Sequence, residues 1–340
     1  MPTLRNILAK KTDTFDVDQV LKKYPWLTAK EQSCIVSPDA DGLLCGLMMS
    51  HLFHWKIQGF YDGKVLVKNH GIPVSSCVFL DMEIFRPEIR SVGQHMLLYN
   101  KNHTPPEWSG FDNCFSINNL RNYDGCHDFR LKYPFGTIHF LATAVHRACK
   151  LSIPKSAICT VLFVDGTYHN LFRYTENSRD WLRYLEIDEP ENPLHRVFVE
   201  EKYTIRSLMD GMDEFWRARD EISSVRGERG DRVAISPRGK SLNPSNLEKE
   251  GALSRFNDDA RRRAELFIGL LAKTFEWDYK SKDWCWAGWD TFRFTKSDFA
   301  KDKKRANETT FNSLIDKAPL SFAMTRGGVY EYTLEGPDSF

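Results

Sequence analysis

Long apolar runs are missing from this chain of 340 residues. None approaches the roughly 20 residues that a membrane-crossing helix needs, so no membrane association is expected. A charge excess is missing too: Lys and Arg number 47 against 46 Asp and Glu, for a net charge of +1. Any attraction to nucleic acid must therefore come from a local patch. None of the eight cysteines forms a CxxC pair, which argues against the usual zinc modules. Several lie in apolar runs, Cys34 before Ile35-Val36 and Cys159 before Thr160-Val161-Leu162 among them. They read as free buried thiols of a reducing, cytoplasmic setting. No GxxxxGK[ST] occurs, which argues against a P-loop kinase, and no internal repeat points to a solenoid. The first eleven residues hold no apolar core of a signal peptide, and Asp13, Asp16 and Asp18 argue against a mitochondrial presequence.

What the chain has is a globular composition, 41% apolar and 13% aromatic, too rich in large side chains for disorder. Short apolar runs at 34–37, 64–67, 76–80, 89–92 and 157–164 read as strands, and 41–54 and 136–149 as helices. Strands that are apolar throughout, alternating with helices, predict an α/β domain over 1–175 with a mostly parallel sheet flanked by helices. A connecting part follows over 176–250, with a charged helix at 203–223 and a Gly/Pro/Ser-rich linker at 226–246. A smaller α+β domain is expected over 251–340. It has helices at 255–275 and 307–315 and strands around 284–294 and 321–334.

Four acids share one context. Asp39 and Asp41 follow the run 34–37, Asp81 follows 76–80, and Asp165 follows 157–164. The carboxyl ends of strands are where an open α/β sheet places its ligand crevice. Carboxylates gathered there repel one another unless a cation joins them. Mn²⁺ or Mg²⁺, which prefer oxygen donors, are the expected cofactors. Each acid alone reads as a helix cap or a turn residue; the shared placement raises the metal reading. A haloacid-dehalogenase-type phosphatase would need an acid two places before Asp165, where Phe163 stands.

These motifs resemble the DHH phosphoesterase superfamily. Asp39-Ala40-Asp41-Gly42 resembles its first motif, Phe79-Leu80-Asp81 its second and Phe163-Val164-Asp165-Gly166 its fourth, all in the family's order. Ser91-Val92-Gly93-Gln94-His95-Met96 lies where the Asp-His-His motif would fall, in divergent form. The resemblance covers 32–175. It implies two metal ions, bridged by Asp81 and completed by Asp39, Asp41 and Asp165, with hydrolysis of a phosphodiester. Gln94 and His95 are then the candidate catalytic positions. If Gly93-Gln94-His95 is the matching triplet, Gln94 replaces a metal-ligating His; if Gln94-His95-Met96 is, His95 is the ligand. The implied substrate is single-stranded DNA or RNA, or short oligonucleotides, held between the domains. The alternative within the family is a catalytically degenerate protein of the Cdc45 type that binds or assembles with a protein partner or with itself.

Thr325-Arg326-Gly327-Gly328 resembles, in reduced form, the Gly-rich segment with which family members hold substrate. Arg326, Gly327 and Gly328 are the candidate substrate contacts, with a plain hairpin turn as the simpler reading. Trp284, Trp286, Trp289, Phe292 and Phe294 suit either base stacking or a core, and the core is favoured. Arg261-Arg262-Arg263 reads as a solvated helix face. His51, His54, His139 and His146 fall in helical patterns without an assigned role. His127, in an acid-flanked loop, is a further candidate to line the site.

Overall fold

The computed structural model describes residues 4–222, 235, 246–298 and 306–334. The linker expected at 226–246 lies, apart from Ile235 and Asn246, outside them. Two short helices, α1 (Leu4–Leu8) and α2 (Val17–Lys23), lead into the first strand, β1 (Ser33–Val36). Then comes α3 (Ala40–Phe53), capped by the Asp39 carboxylate, which accepts the Gly42 N–H at 3.2 Å. This helix is buried almost all round, as a helix apolar on every side must be.

The chain continues through β2 (Lys56–Tyr61) into β3 (Val65–Asn69). Asp62 makes the reversal by accepting the N–H groups of Lys64 and Val65, and Gly63 takes the positive φ of 82°. Next come β4 (Cys77–Leu80), β5 (Arg90–Gly93), β6 (Cys114–Ser116) and α4 (Ile117–Leu120). Four helices follow: α5 (Thr137–Val145), α6 (Ile158–Phe163), α7 (Thr167–Arg173) and α8 (Thr175–Tyr184). The long α9 (Ile205–Asp220) precedes β7 (Leu247–Glu250), β8 (Leu253–Phe256) and α10 (Asp258–Phe275). The end of the described chain carries β9 (Trp289–Arg293), β10 (Thr295–Asp298), α11 (Glu308–Ile315), β11 (Ser321–Arg326) and β12 (Val329–Leu334).

The result is an α/β fold with one nine-stranded sheet flanked by helices, in the order β6-β5-β4-β1-β2-β3-β9-β8-β7, and a three-stranded sheet, β10-β12-β11. The large sheet as a whole is mixed, while within residues 1–175, where a mostly parallel sheet is expected, four of the five pairings are parallel. Strands β6, β5, β4, β1 and β2 run parallel. The hairpin after β2 reverses β3, and every pairing from there to β7 is antiparallel. The sheet also runs across the boundary expected at residue 250, because β9 pairs with β3 along 65–69.

Another expectation fails at 157–164. That apolar run is helix α6, not a strand. A short run buried on all sides looks alike in either form; here α6 packs against α9, where Phe163 meets Phe215 at 5.1 Å between ring centroids. Four of the five aromatics of 284–294 are core: Trp284, Trp286, Trp289 and Phe294 are buried. Phe60 and Phe256 pack against Trp286 and Trp289. Arg261, Arg262 and Arg263 pair with Asp259 and Glu265 on the outer face of α10. All eight cysteines are free thiols, four of them buried and Cys126 exposed. No described helix is long and apolar enough to cross a membrane.

Candidate functional site at the carboxyl edge of the sheet

From β1 the chain crosses through α3 to β2 on one side, and β4 comes back on the other. Strand order thus reverses between β1 and β4, and a crevice opens at the carboxyl ends of such a pair. Asp39 and Asp41 follow β1, Asp81 follows β4, and Gln94-His95 follow β5. Asp165 arrives from a different direction. It occupies a left-handed kink (φ 51°, ψ 22°) between α6 and α7, rather than a strand end. Asp81 also has a positive φ, 61°. Neither is glycine, and strain of this kind gathers at functional sites.

Asp41 and Asp81 are each 1% exposed. The Asp41 carboxylate accepts the backbone N–H groups of Thr137 and Ile138, the latter at 3.0 Å. It thereby satisfies two free donors at the start of α5, where the helix dipole also favours a negative charge. A side chain at Gly136 would come within 2.9 Å of the Asp41 Oδ2, so glycine admits the carboxylate to the helix end. The Thr137 hydroxyl donates to Asp81 Oδ1 at 2.7 Å.

On the other side, Gln94 Nε2 donates to Asp165 Oδ2 at 2.7 Å and lies 3.2 Å from His95 Nε2. Glu83 stands behind His95. It accepts the N–H of His95 at 2.7 Å and of Met96 at 3.0 Å, and its Oε2 is 3.3 Å from His95 Nδ1. His95 Nδ1 is 4.0 Å from Asp81 Oδ1, and the His95 side chain keeps 31% exposure. A Cβ on Gly93 would fall 2.4 Å from the Glu83 carboxyl. Lys132 Nζ donates to the Met324 carbonyl at 2.9 Å, and the Met324 N–H donates to the His95 carbonyl at 3.2 Å. Through these bonds the small sheet is tied to the site.

The acids perturb one another. Burial raises the Asp41 carboxyl, the Asp165 charge raises it further, and the α5 N–H groups pull it back. Asp81 is raised by burial and then by Asp41, Asp39 and Asp165, with the Thr137 hydroxyl opposing. Asp165 is raised by its dense surroundings and by Asp39, against His95, Lys132 and Gln94. Because the residue is exposed at its kink, water limits that rise. Burial works against charge on His95, yet Glu83 and Asp165 outweigh it and its pKa is raised. Burial lowers Lys132, against the pull of Glu83 and Asp165.

A divalent ion fits this donor set in kind, since carboxylate oxygens are what Mg²⁺ and Mn²⁺ take. The cage is not drawn closed: among the described residues no three acidic, His or Cys groups stand together as a ready metal site. Both Asp41 oxygens already accept a backbone N–H.

Other candidates fall away from the cluster. Gly327-Gly328 form the two-residue turn between Arg326 and Val329 of the β11–β12 hairpin, with Gly328 at φ 73°. Arg326 is exposed beside that turn. His127 is engaged by Asp124, at 2.7 Å. Glu83, Thr137 and Lys132 escaped the sequence reading. Only Glu83, two places beyond Asp81, carried a signal: an acid between two apolar runs. Set against known proteins, the chain matches no family model, no curated protein and no solved structure.

Proposed function

We propose that the acidic cluster holds Mn²⁺ or Mg²⁺ and that the protein hydrolyses phosphodiesters of single-stranded nucleic acid or short oligonucleotides. One observation carries this reading: Asp41 and Asp81, buried at the strand-order reversal of the sheet, both feel the charge of Asp165, which comes from a distant segment. Two buried like charges, Asp41 and Asp81, are costly to a fold without a cation, and a functional role accounts for keeping them. Asp39, Asp41, Asp81 and Asp165 would hold the metal. When bound, it would activate a water and offset the charge on phosphate oxygens. His95, partly exposed, would exchange a proton or contact the phosphate. Lys132 adds a positive charge beside Asp165. Arg326, on the hairpin tied to His95, is the candidate anchor for a more distant phosphate.

The test is cleavage of a labelled single-stranded oligonucleotide with Mn²⁺, beside Asp81→Asn and a chelated control. Asn tolerates the positive φ of Asp81, so the variant keeps the backbone. Cleavage by the wild type only, with at least a hundredfold loss in both controls, is the expected result. A second reading has its own support. Gln94 presents an amide nitrogen to Asp165, and Asp41 is engaged by α5, an arrangement that suits a degenerate protein that binds or assembles without cutting. A folded protein that cleaves neither DNA, RNA nor dinucleotides, with no Mn²⁺-induced rise in Tm, establishes that reading instead.

A further inference from the structure

The hydrogen bonds around His95 form a chain in which the donors and acceptors are fixed by chemistry. At one end Glu83 is 2% exposed and already accepts two backbone N–H groups. A carboxylate oxygen can only accept, so the contact of Glu83 Oε2 with His95 Nδ1 puts a hydrogen on Nδ1. At the other end Asp165 Oδ2 also only accepts, so the Gln94 group facing it is the NH₂ and not the carbonyl. That same nitrogen faces His95 Nε2, to which its second hydrogen is donated. The neutral ring then carries its lone pair on Nε2, toward the Gln94 amide.

We propose that Glu83 is a positioning residue that locks His95 in the Nδ1–H form, so that Nε2 is left as a proton acceptor beneath the Gln94 amide. The backbone bonds from Glu83 to His95 and Met96 fix where the ring is attached; the ring bond fixes how it turns. Gly93 makes the arrangement possible, since a side chain there would occupy the space of the Glu83 carboxyl. Gln94 thereby acquires a role other than weak metal ligation: it bridges Asp165 and His95 as a double donor, and a substrate that uses Nε2 must displace it. The consequence for hydrolysis rests on the function proposed above. The tautomer does not, and it is read without any activity.

The experiment is a long-range ¹H–¹⁵N spectrum of the histidine rings of the full chain at a pH where His95 is neutral. The His95 signals are assigned by their loss in His95→Asn. In the wild type the expected pattern is protonated Nδ1 with an unprotonated Nε2. In Gln94→Ala this pattern persists, because Glu83 sets it. In Glu83→Gln, which keeps the shape and removes the charge, the Nε2–H form gains to at least a third of the population. An Nε2–H ring in the wild type overturns the proposal whether or not the variants fold. So does an unchanged ring in a folded Glu83→Gln. A correct tautomer in a protein that neither binds Mn²⁺ nor cleaves oligonucleotides upholds this inference and sinks the hydrolase reading alone.

Discussion

Buried His139 shows how a single side chain ties stability to pH. Burial pushes its pKa down to about 4, against the pull of the Gly136 carbonyl, 3.1 Å from Nδ1. The unfolded chain takes up a proton near 6.5, the ordinary value for histidine. As pH falls below 6.5 the unfolded state therefore binds the proton that the folded state refuses, and stability falls until about pH 4. A shift of that size corresponds to about 3 kcal/mol. Urea unfolding at pH 7 and pH 4.5 checks it: His139→Asn, which keeps a donor for Gly136, should lose clearly less stability on acidification than the wild type. Equal losses would show that the ring charges freely inside the fold. The sequence placed His139 in a helix without assigning it a role. Acids at the ends of apolar runs were easier to read: Asp39, Asp41 and Asp81 all follow real strands. Glu83 and Thr137 were not legible, because their roles exist only when β4, β5 and α5 meet.

Among the elements, the entry to the fold is clamped by a buried guanidinium. Arg121, the residue after α4, is ion-paired with Asp13 and with Asp180 of α8, both at 2.7 Å. Its guanidinium lies 4.5 Å from the Trp181 ring and 4.4 Å from the Tyr184 ring. Burial pushes the Asp13 carboxyl up, but the Arg121 hydrogen bond and charge outweigh it and hold the pKa at about 2. The stabilisation from that pair is complete above the ordinary carboxylate range and is lost only as pH falls through about 2. Arg121→Met would strand Asp180, which is 4% exposed at its side chain. A loss of about 3 kcal/mol is expected, near the lower end for a broken buried pair, because Arg183 also reaches Asp180 at 2.9 Å. Chemical denaturation of the variant measures this, and a loss under about 1 kcal/mol would show that Arg183 suffices. Elements with a clear period or cap were legible in the sequence, α3, α10 and α11 above all. The run 157–164 was not, since nothing local separates a short buried helix from a buried strand. β2 was missed because Lys56, Gln58 and Gly59 interrupt its apolar pattern.

At the scale of the molecule, the mixed sheet binds the chain's parts into one core. β9 lies along β3, and Phe60 of β2 packs on Trp286 and Trp289. A chain ended at residue 246 would expose the edge of β3 and uncover Phe60, so it should not fold to a native-like state. It is expected to bind an apolar dye and to lose near-ultraviolet circular dichroism. A sharp, cooperative unfolding transition from the truncated chain would instead establish an independent domain. The sequence read the α/β class correctly and read a domain change near residue 250, where the sheet continues. Composition does shift there, but composition does not say which edge a later strand will join.

The bonds between Met324 and His95 also give the protein an order of completion during synthesis. Every acid of the cluster, with Gln94, His95 and Glu83, leaves the ribosome before β11 is made. Until residues 321–326 arrive, the His95 carbonyl and the Lys132 ammonium lack the partners that hold them in the finished fold. A nascent chain thus carries its acidic edge in an unfinished setting until the hairpin docks.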